Sequence, residues 1–250
     1  MNYYIVTGAS KGLGEAIVKQ LVTEDNYIIY VSRNDNQILE GLAKKSKHVS
    51  IQFEECDLSD FSQLASLIKR IFSNIDYNKA SKITLINNAG MVEPIKNVGD
   101  ASEKDIVSNV QLNLVAPMVL SEYFIKETKS FSGNKMIVNI TSGAANRPIA
   151  GWSTYCSTKA GLNMFTSTIG IEQAAKSDVT AIAFSPGIMD TDMQSTIRTA
   201  EKDDFHSIDQ FKEYHEKGML RSPSFVAKII VQLLSGQVDN GRVYDIKEFI

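Results

Sequence analysis

The 250-residue chain is 43% hydrophobic and 22% charged, an ordinary globular balance that supplies one sizeable core and requires no second domain. Its net charge of −3 and the absence of any long basic run argue against a nucleic-acid partner. The densest cationic patch, Lys44, Lys45 and Lys47 near Glu40, reads as a solvated helix face. No apolar run is long enough to span a bilayer, and the opening MNYYIVTG reads as a strand, so neither a membrane role nor export is expected. The two cysteines, Cys56 and Cys156, lack metal-ligand spacing. They are expected to be reduced thiols in a cytoplasmic protein without a metal.

In chain order, short apolar runs alternate with longer periodic ones. Tyr3–Thr7, Tyr27–Ser32, Val49–Phe53, Ile83–Asn87, Met136–Ile140, Val179–Phe184 and Arg242–Asp245 predict strands. Most are continuously apolar, as parallel strands covered on both faces should be. Between them, Leu13, Ile17 and Leu21 form a stripe at helical spacing. Asn34 with Gln37 resembles a capping box ahead of Ile38, Leu39 and Leu42. Leu64, Leu67, Ile68 and Ile71 make another stripe, and Ser222-Pro223 opens a helix carrying Phe225, Ile229, Ile230 and Leu233. Long helices are expected over Ser102–Lys129 and Ser153–Lys176, and the longest irregular stretch, 187–221, is large enough for a lid. The alternation predicts a single-domain α/β fold: a doubly wound, Rossmann-type parallel sheet of about seven strands with helices on both faces.

The first strand runs into Thr7-Gly-Ala-Ser-Lys-Gly-Leu-Gly14 and then a helix. Glycines there let the backbone turn tightly and approach a pyrophosphate, while the helix N-terminus offers free N–H groups. A nucleotide is therefore expected at Gly8, Ser10, Gly12, Leu13 and Gly14. At the end of the second strand, where an acid would bind a ribose 2′-hydroxyl, the residue is Ser32, followed by Arg33. With Lys11 in the loop as a second cation, this arrangement favours a 2′-phosphate and hence NADPH/NADP+.

Tyr155 precedes Lys159 by one helical turn, so the two share a face, and an adjacent ammonium favours the phenolate. Hydride arriving at a carbonyl carbon puts negative charge on oxygen, which a hydroxyl stabilises and a proton donor discharges. Asn113 lies in a predicted helix with Pro117 four residues on; proline has no N–H, so the Asn113 carbonyl loses its helical partner and is free to hold a water. Cys156 is read as packing.

With these pieces in order, the sequence resembles the short-chain dehydrogenase/reductase family over nearly its whole length. The resemblance rests on TGASKGLG at 7–14, Asp57-Leu58, NNAG at 87–90, Asn113 in VQLNLVAP, Ser142 in NITSGA, Tyr155-x-x-x-Lys159, and Pro186-Gly187 with Thr191. It implies that Asp57 and Leu58 flank the adenine, that Asn88, Ala89 and Gly90 line the cofactor, and that Pro186, Gly187, Ile188 and Thr191 hold the nicotinamide end. It implies further that Tyr155 is the catalytic acid and that Lys159 binds the nicotinamide ribose and lowers the Tyr155 pKa. The resemblance gives Ser142 the task of orienting the carbonyl and prefers it to its neighbour Thr141 by family position. Asn113 completes a water relay to the lysine.

Met91, Val92, Ala144, Ile149, Trp152, Ile188, Met189 and Met193 lie close to these positions and predict an apolar, adaptable pocket for a hydrophobic or aromatic ketone. Within the family the chain looks closest to the sepiapterin reductase-like branch, which includes bacterial reductases of aromatic 1,2-diketones such as benzil. That resemblance implies reduction of one of two adjacent carbonyls to a chiral hydroxyketone, with a pterin diketone as the alternative substrate. A non-catalytic NADP-binding regulator is the alternative from another class, and the full Asn113, Ser142, Tyr155 and Lys159 set argues against it. The apolar load of Ile106–Phe124, together with the family's habit of pairing its long helices, implies a homodimer.

Overall fold

The computed structural model describes residues 1–23, 25–45, 49–176 and 179–250; Lys47 of the cationic patch lies outside them. Each predicted strand is present, with ends shifted by one or two residues: β1 (Asn2–Thr7), β2 (Asn26–Ser32), β3 (Ser50–Glu55), β4 (Lys82–Asn87), β5 (Asn134–Ile140), β6 (Thr180–Ser185) and β7 (Val243–Asp245). They form one sheet in the order β3-β2-β1-β4-β5-β6-β7, with every neighbouring pair parallel. Parallel pairing sends every crossover through a helix and covers both faces, which is why the strands read as continuous apolar runs.

Helix α1 (Gly12–Leu21) and helix α2 (Gln37–Lys45) cover one face, as does the helix over Pro223–Ser235. There Leu13, Ile17 and Leu21 pack with Tyr4, Val6 and Ile28 of the sheet. The alternate strand residues Tyr3, Ile5 and Ile29 face the other layer, built on α3 (Phe61–Ser73) and on the helices that follow β4 and β5. Each fully buried Leu or Ile contributes roughly 1.5–3 kcal/mol, so these two cores hold the sheet rigid beneath the loops at its carboxyl edge.

Four expectations need correction. The cap of α2 is Asn36, whose Oδ1 accepts from the N–H groups of Ile38 and Leu39, so Asn34 does not serve as the cap. The long helix after β4 is not uniform: α4 (Glu103–Val110) passes through a π turn (Gln111–Val115) into α5 (Ala116–Glu127). Helix α6 (Ser153–Ala174) ends two residues short of the predicted limit. The stretch 187–221 is not irregular. It holds α7 (Asp192–Arg198) and α8 (Ile208–Glu216), ahead of α9 (Pro223–Ser235), whose N-cap Ser222 accepts from the Phe225 N–H as predicted. Ile197, Phe205, Ile208 and Phe211 from that stretch close a third apolar cluster around Trp152 and Tyr155.

Candidate active site

The strand order reverses direction between β1 and β4, and a crevice opens there beyond the carboxyl ends of the strands. It forms a cavity of about 1470 Å³. Gly8, Ser10, Lys11, Gly12 and Leu13 line it on one side, with Arg33, Asp57 and Leu58 at one end. Asn88, Ala89 and Gly90 form its middle, and Pro186, Gly187, Ile188 and Thr191 its far wall. Of the sequence-predicted residues, Gly14 and Asn113 stand behind the wall. A Cβ on Gly14 would meet the Gly8 carbonyl at 2.4 Å and Asn88 Nδ2 at 2.6 Å, so this glycine is required by helix packing.

The glycine loop fits a dinucleotide phosphate. Gly8 and Gly12 have φ of +66° and +61°, and a Cβ on Gly8 would strike Ala89 Cα at 2.7 Å. No side chain caps the start of α1. The loop is pinned by a residue the motif reading passed over: Thr7 Oγ1 accepts from the N–H groups of Asn88 (2.9 Å) and Ala89 (3.0 Å). Asn88 Nδ2 in turn donates to the carbonyls of Thr7 and Gly8. Ser32, where an acid would sit, is buried, with its hydroxyl turned onto the Asn34 carbonyl, while Arg33 is exposed at the cavity rim. Lys11 is already engaged: its Nζ lies 2.6 Å from Asp192 Oδ2 on α7, an exposed ion pair spanning the cleft mouth.

Tyr155 and Lys159 lie one turn apart on α6, both buried, with Lys159 Nζ 5.8 Å from the phenol ring centre. Lys159 Nζ donates to the Ile140 carbonyl at 2.9 Å, its one hydrogen bond to the described residues, which leaves ammonium hydrogens for ribose hydroxyls. Burial pushes its pKa down to about 8. Burial likewise raises the Tyr155 pKa, opposed by a hydrogen bond with Ser142. The expected lowering of the phenol by Lys159 is therefore not a feature of the protein alone: desolvation dominates both groups. Ser142 Oγ accepts from the Ala144 N–H at 3.2 Å, so its own hydrogen is free to point at Tyr155 or at a carbonyl oxygen. Thr141, the rival hydroxyl, turns away toward the Lys159 carbonyl.

Asn113 sits in the π turn. Pro117 supplies no N–H, and the helix relaxes into wider spacing, with the Ala116 N–H donated to the Gln111 carbonyl. The Asn113 side chain is fully buried and clasps the loop after β4: Oδ1 accepts from the Met91 N–H (2.9 Å) and Nδ2 donates to the Met91 carbonyl (2.7 Å). A Cβ on Gly90 would come within 3.1 Å of Asn113 Oδ1 and 3.6 Å of Lys159 Nζ, so the three meet at one point.

At the substrate end, Ala144, Ile149, Trp152, Met189 and Met193 line the cavity as expected, as do Met91, Val92 and Ile188. Met189 also packs on the first core. Trp152 stacks on Phe205 with centroids 4.9 Å apart and meets Tyr155 and Phe211 edge-on. Phe211 and Tyr214 of α8 complete an aromatic wall that sequence reasoning missed, because the helix bearing them was read as loop.

A nucleotide crevice at the switch point of a parallel sheet, with a buried tyrosine–lysine pair at its floor, defines a dehydrogenase of the Rossmann type. The description "short chain dehydrogenase" matches residues 2–202, and the chain belongs to that family. It is an oxidoreductase, and its cofactor is a nicotinamide dinucleotide. The chain is 47% identical to a benzil reductase ((S)-benzoin forming) of Bacillus subtilis (strain 168), with 100% of both sequences covered. It is 43% identical to the Bacillus cereus benzil reductase ((S)-benzoin forming), covering 99% of this chain and 100% of the other. Among solved structures, the YIR035C short-chain dehydrogenase/reductase of Saccharomyces cerevisiae superposes with a TM-score of 0.85 at 27% identity, covering 98% of this chain and 96% of that one.

The depressed Lys159 pKa has a measurable consequence. Between pH about 8 and the ordinary 10.5, the unfolded chain holds a proton at this residue that the folded chain has shed. Nucleotide-free protein should therefore gain stability from Lys159 as pH rises through that window and show no such slope below it. Urea midpoints measured from pH 7 to 10 should show this rise in the wild type and a smaller one in Lys159→Met.

Proposed function

We propose that the chain is an NADPH-dependent carbonyl reductase that converts hydrophobic 1,2-diketones such as benzil to a chiral hydroxyketone. The observation that carries this reading is the buried Tyr155–Lys159 pair, with the half-buried Ser142 beside it, in a cavity lined by Trp152, Phe211 and Tyr214. Flat aryl groups stack favourably on such a wall, whereas a sugar would leave its hydroxyls without partners there. The two bacillary benzil reductases support the same substrate.

When bound, the dinucleotide supplies hydride to the carbonyl carbon. Ser142 Oγ donates a hydrogen bond to the carbonyl oxygen as negative charge gathers on it. Tyr155 delivers its proton to that oxygen, so one carbonyl becomes one hydroxyl. The raised phenol pKa keeps Tyr155 protonated and ready to donate at neutral pH. Lys159 holds the ribose through its free ammonium hydrogens, and its charge then stabilises the phenolate left behind. Asn113 holds the Met91 backbone close to Lys159; Pro117, four residues on, has no N–H for the Asn113 carbonyl, which would hold the relay water.

Arg33 supports NADPH over NADH, since it is an exposed cation beside Ser32 where an NAD enzyme carries an acid. Lys11 joins it only by leaving Asp192, which makes Arg33 the principal 2′-phosphate ligand. We take 187–221 as the substrate lid and a second copy of the chain as partner. Val107, Met164 and Ile171, exposed by 52%, 70% and 76% on α4 and α6, offer an apolar face for it. The cytoplasm is the fitting compartment for an enzyme whose Cys56 and Cys156 are both unpaired.

Purified protein should consume NADPH with benzil faster than with a pterin diketone or a polar sugar. Tyr155→Phe should lower kcat by about 10²–10⁴-fold with NADPH binding retained; unchanged turnover, or strong turnover of the sugar alone, overturns the reading. Arg33→Ala should weaken NADPH by about tenfold or more and leave NADH nearly unchanged, as fits the loss of a charge-assisted hydrogen bond. Sedimentation at micromolar concentration should give a dimer, and Met164→Glu with Ile171→Glu should give monomer.

A further inference from the structure

Asn109 stands one helical turn before Asn113, at the end of α4, and its side chain is fully buried. A buried carboxamide in a helix is costly unless every donor and acceptor is paired, and asparagine is also a weak helix former. This one is saturated. Its Nδ2 donates to the carbonyls of Glu93 (2.5 Å) and Met91 (3.3 Å). Its Oδ1 accepts from Asn113 Nδ2 (2.9 Å) and lies 3.3 Å from the Thr158 hydroxyl on α6. The amide has one workable orientation. Flipped, it would set oxygen against two carbonyls and nitrogen against the Asn113 amide nitrogen.

The contacts converge on the Met91–Glu93 segment. Asn113 holds that segment by both groups of Met91, and Asn109 adds the Glu93 carbonyl and orients the Asn113 amide itself. Met91, Val92 and Glu93 all line the cavity, and a Cβ added to Gly90 just before them would lie 3.6 Å from Lys159 Nζ. We propose that Asn109 is a positioning residue that sets the Asn113 amide and, through it, the substrate-facing wall formed by Gly90 to Glu93. The Thr158 contact is subsidiary, because that hydroxyl has one hydrogen and lies nearer the Tyr155 carbonyl, at 3.0 Å.

The inference rests on the carbonyl-reductase reading for its kinetic assay and is independent of it for a second measurement. In hydrogen exchange, the Met91 amide of the wild type should be protected like core amides, and Asn109→Ala should accelerate its exchange by about tenfold or more while β1 and α9 stay unchanged. With benzil and NADPH, Asn109→Ala should lower kcat by about tenfold and raise KM, with NADPH binding one per chain at nearly wild-type affinity. Global damage would lower the binding stoichiometry instead. Asn109→Asp, which keeps the acceptor but faces the Met91 and Glu93 carbonyls with oxygen, should reproduce the loss if the alanine variant folds poorly. Thr158→Val should stay within about twofold of wild type. In an Asn113→Ala background, Asn109→Ala should cost little more, since the two act as one unit. Wild-type kcat, KM and exchange in Asn109→Asp, fast Met91 exchange in the wild type, or full multiplication of the two alanine losses overturns the proposal. Failure of the wild type to reduce benzil would count against the substrate reading alone, leaving the exchange result to decide the role of Asn109.

Discussion

A charged ammonium buried beneath the switch point of a parallel sheet sets the terms for the rest of this protein. Lys159 has one hydrogen bond to the described residues, and the loss of water around it depresses its pKa. Such a group is tolerated only where packing from several directions leaves it no exit. β5 supplies the Ile140 carbonyl, the loop after β4 brings Gly90 so near that an added Cβ would lie 3.6 Å from the Nζ, and α6 carries the lysine one turn after Tyr155. Two apolar cores, one on each face of the sheet, hold those three elements in place.

The same burial divides the work between tyrosine and lysine. In the protein alone, desolvation drives the phenol up and the ammonium down, and each group is held in the neutral or nearly neutral direction. The phenol is thereby kept protonated at neutral pH, as the proposed acid requires. In the proposed mechanism the ammonium gains its full value only when charge appears nearby, as a proton leaves Tyr155. On that mechanism electrostatic help arrives at the moment of reaction, with none committed to the resting state.

Much of this was legible in the sequence, because certain positions tolerate only one kind of residue. Gly8 and Gly12 occupy left-handed backbone, and Tyr155 and Lys159 must share a helical face, so local spacing exposes both. The continuous apolar runs likewise announced a parallel sheet, and all seven strands lie where they were expected. What stayed hidden depends on partners far away in the chain. Asn109 looks like an ordinary polar residue until Met91, Glu93 and Thr158 are brought to it. The cap of α2 fell to Asn36 over Asn34 through the actual turn geometry. α7 and α8 escaped notice because their apolar residues, Ile197, Ile208 and Phe211, are sparse and find their counterpart in Trp152. The influence of Lys159 on Tyr155 was overestimated from spacing, since spacing carries no information about desolvation.

The third apolar cluster joins the 187–221 segment to Tyr155, the proposed proton donor: Phe205 and Phe211 pack on Trp152, and Trp152 packs on Tyr155. The cavity wall and the packing around Tyr155 are consequently carried by the same few side chains. A change that trims Phe205 or Phe211 removes packing from Trp152 and, through it, from Tyr155. Reshaping this wall without loss of packing therefore calls for paired replacements, one on α8 answered by another at the start of α6.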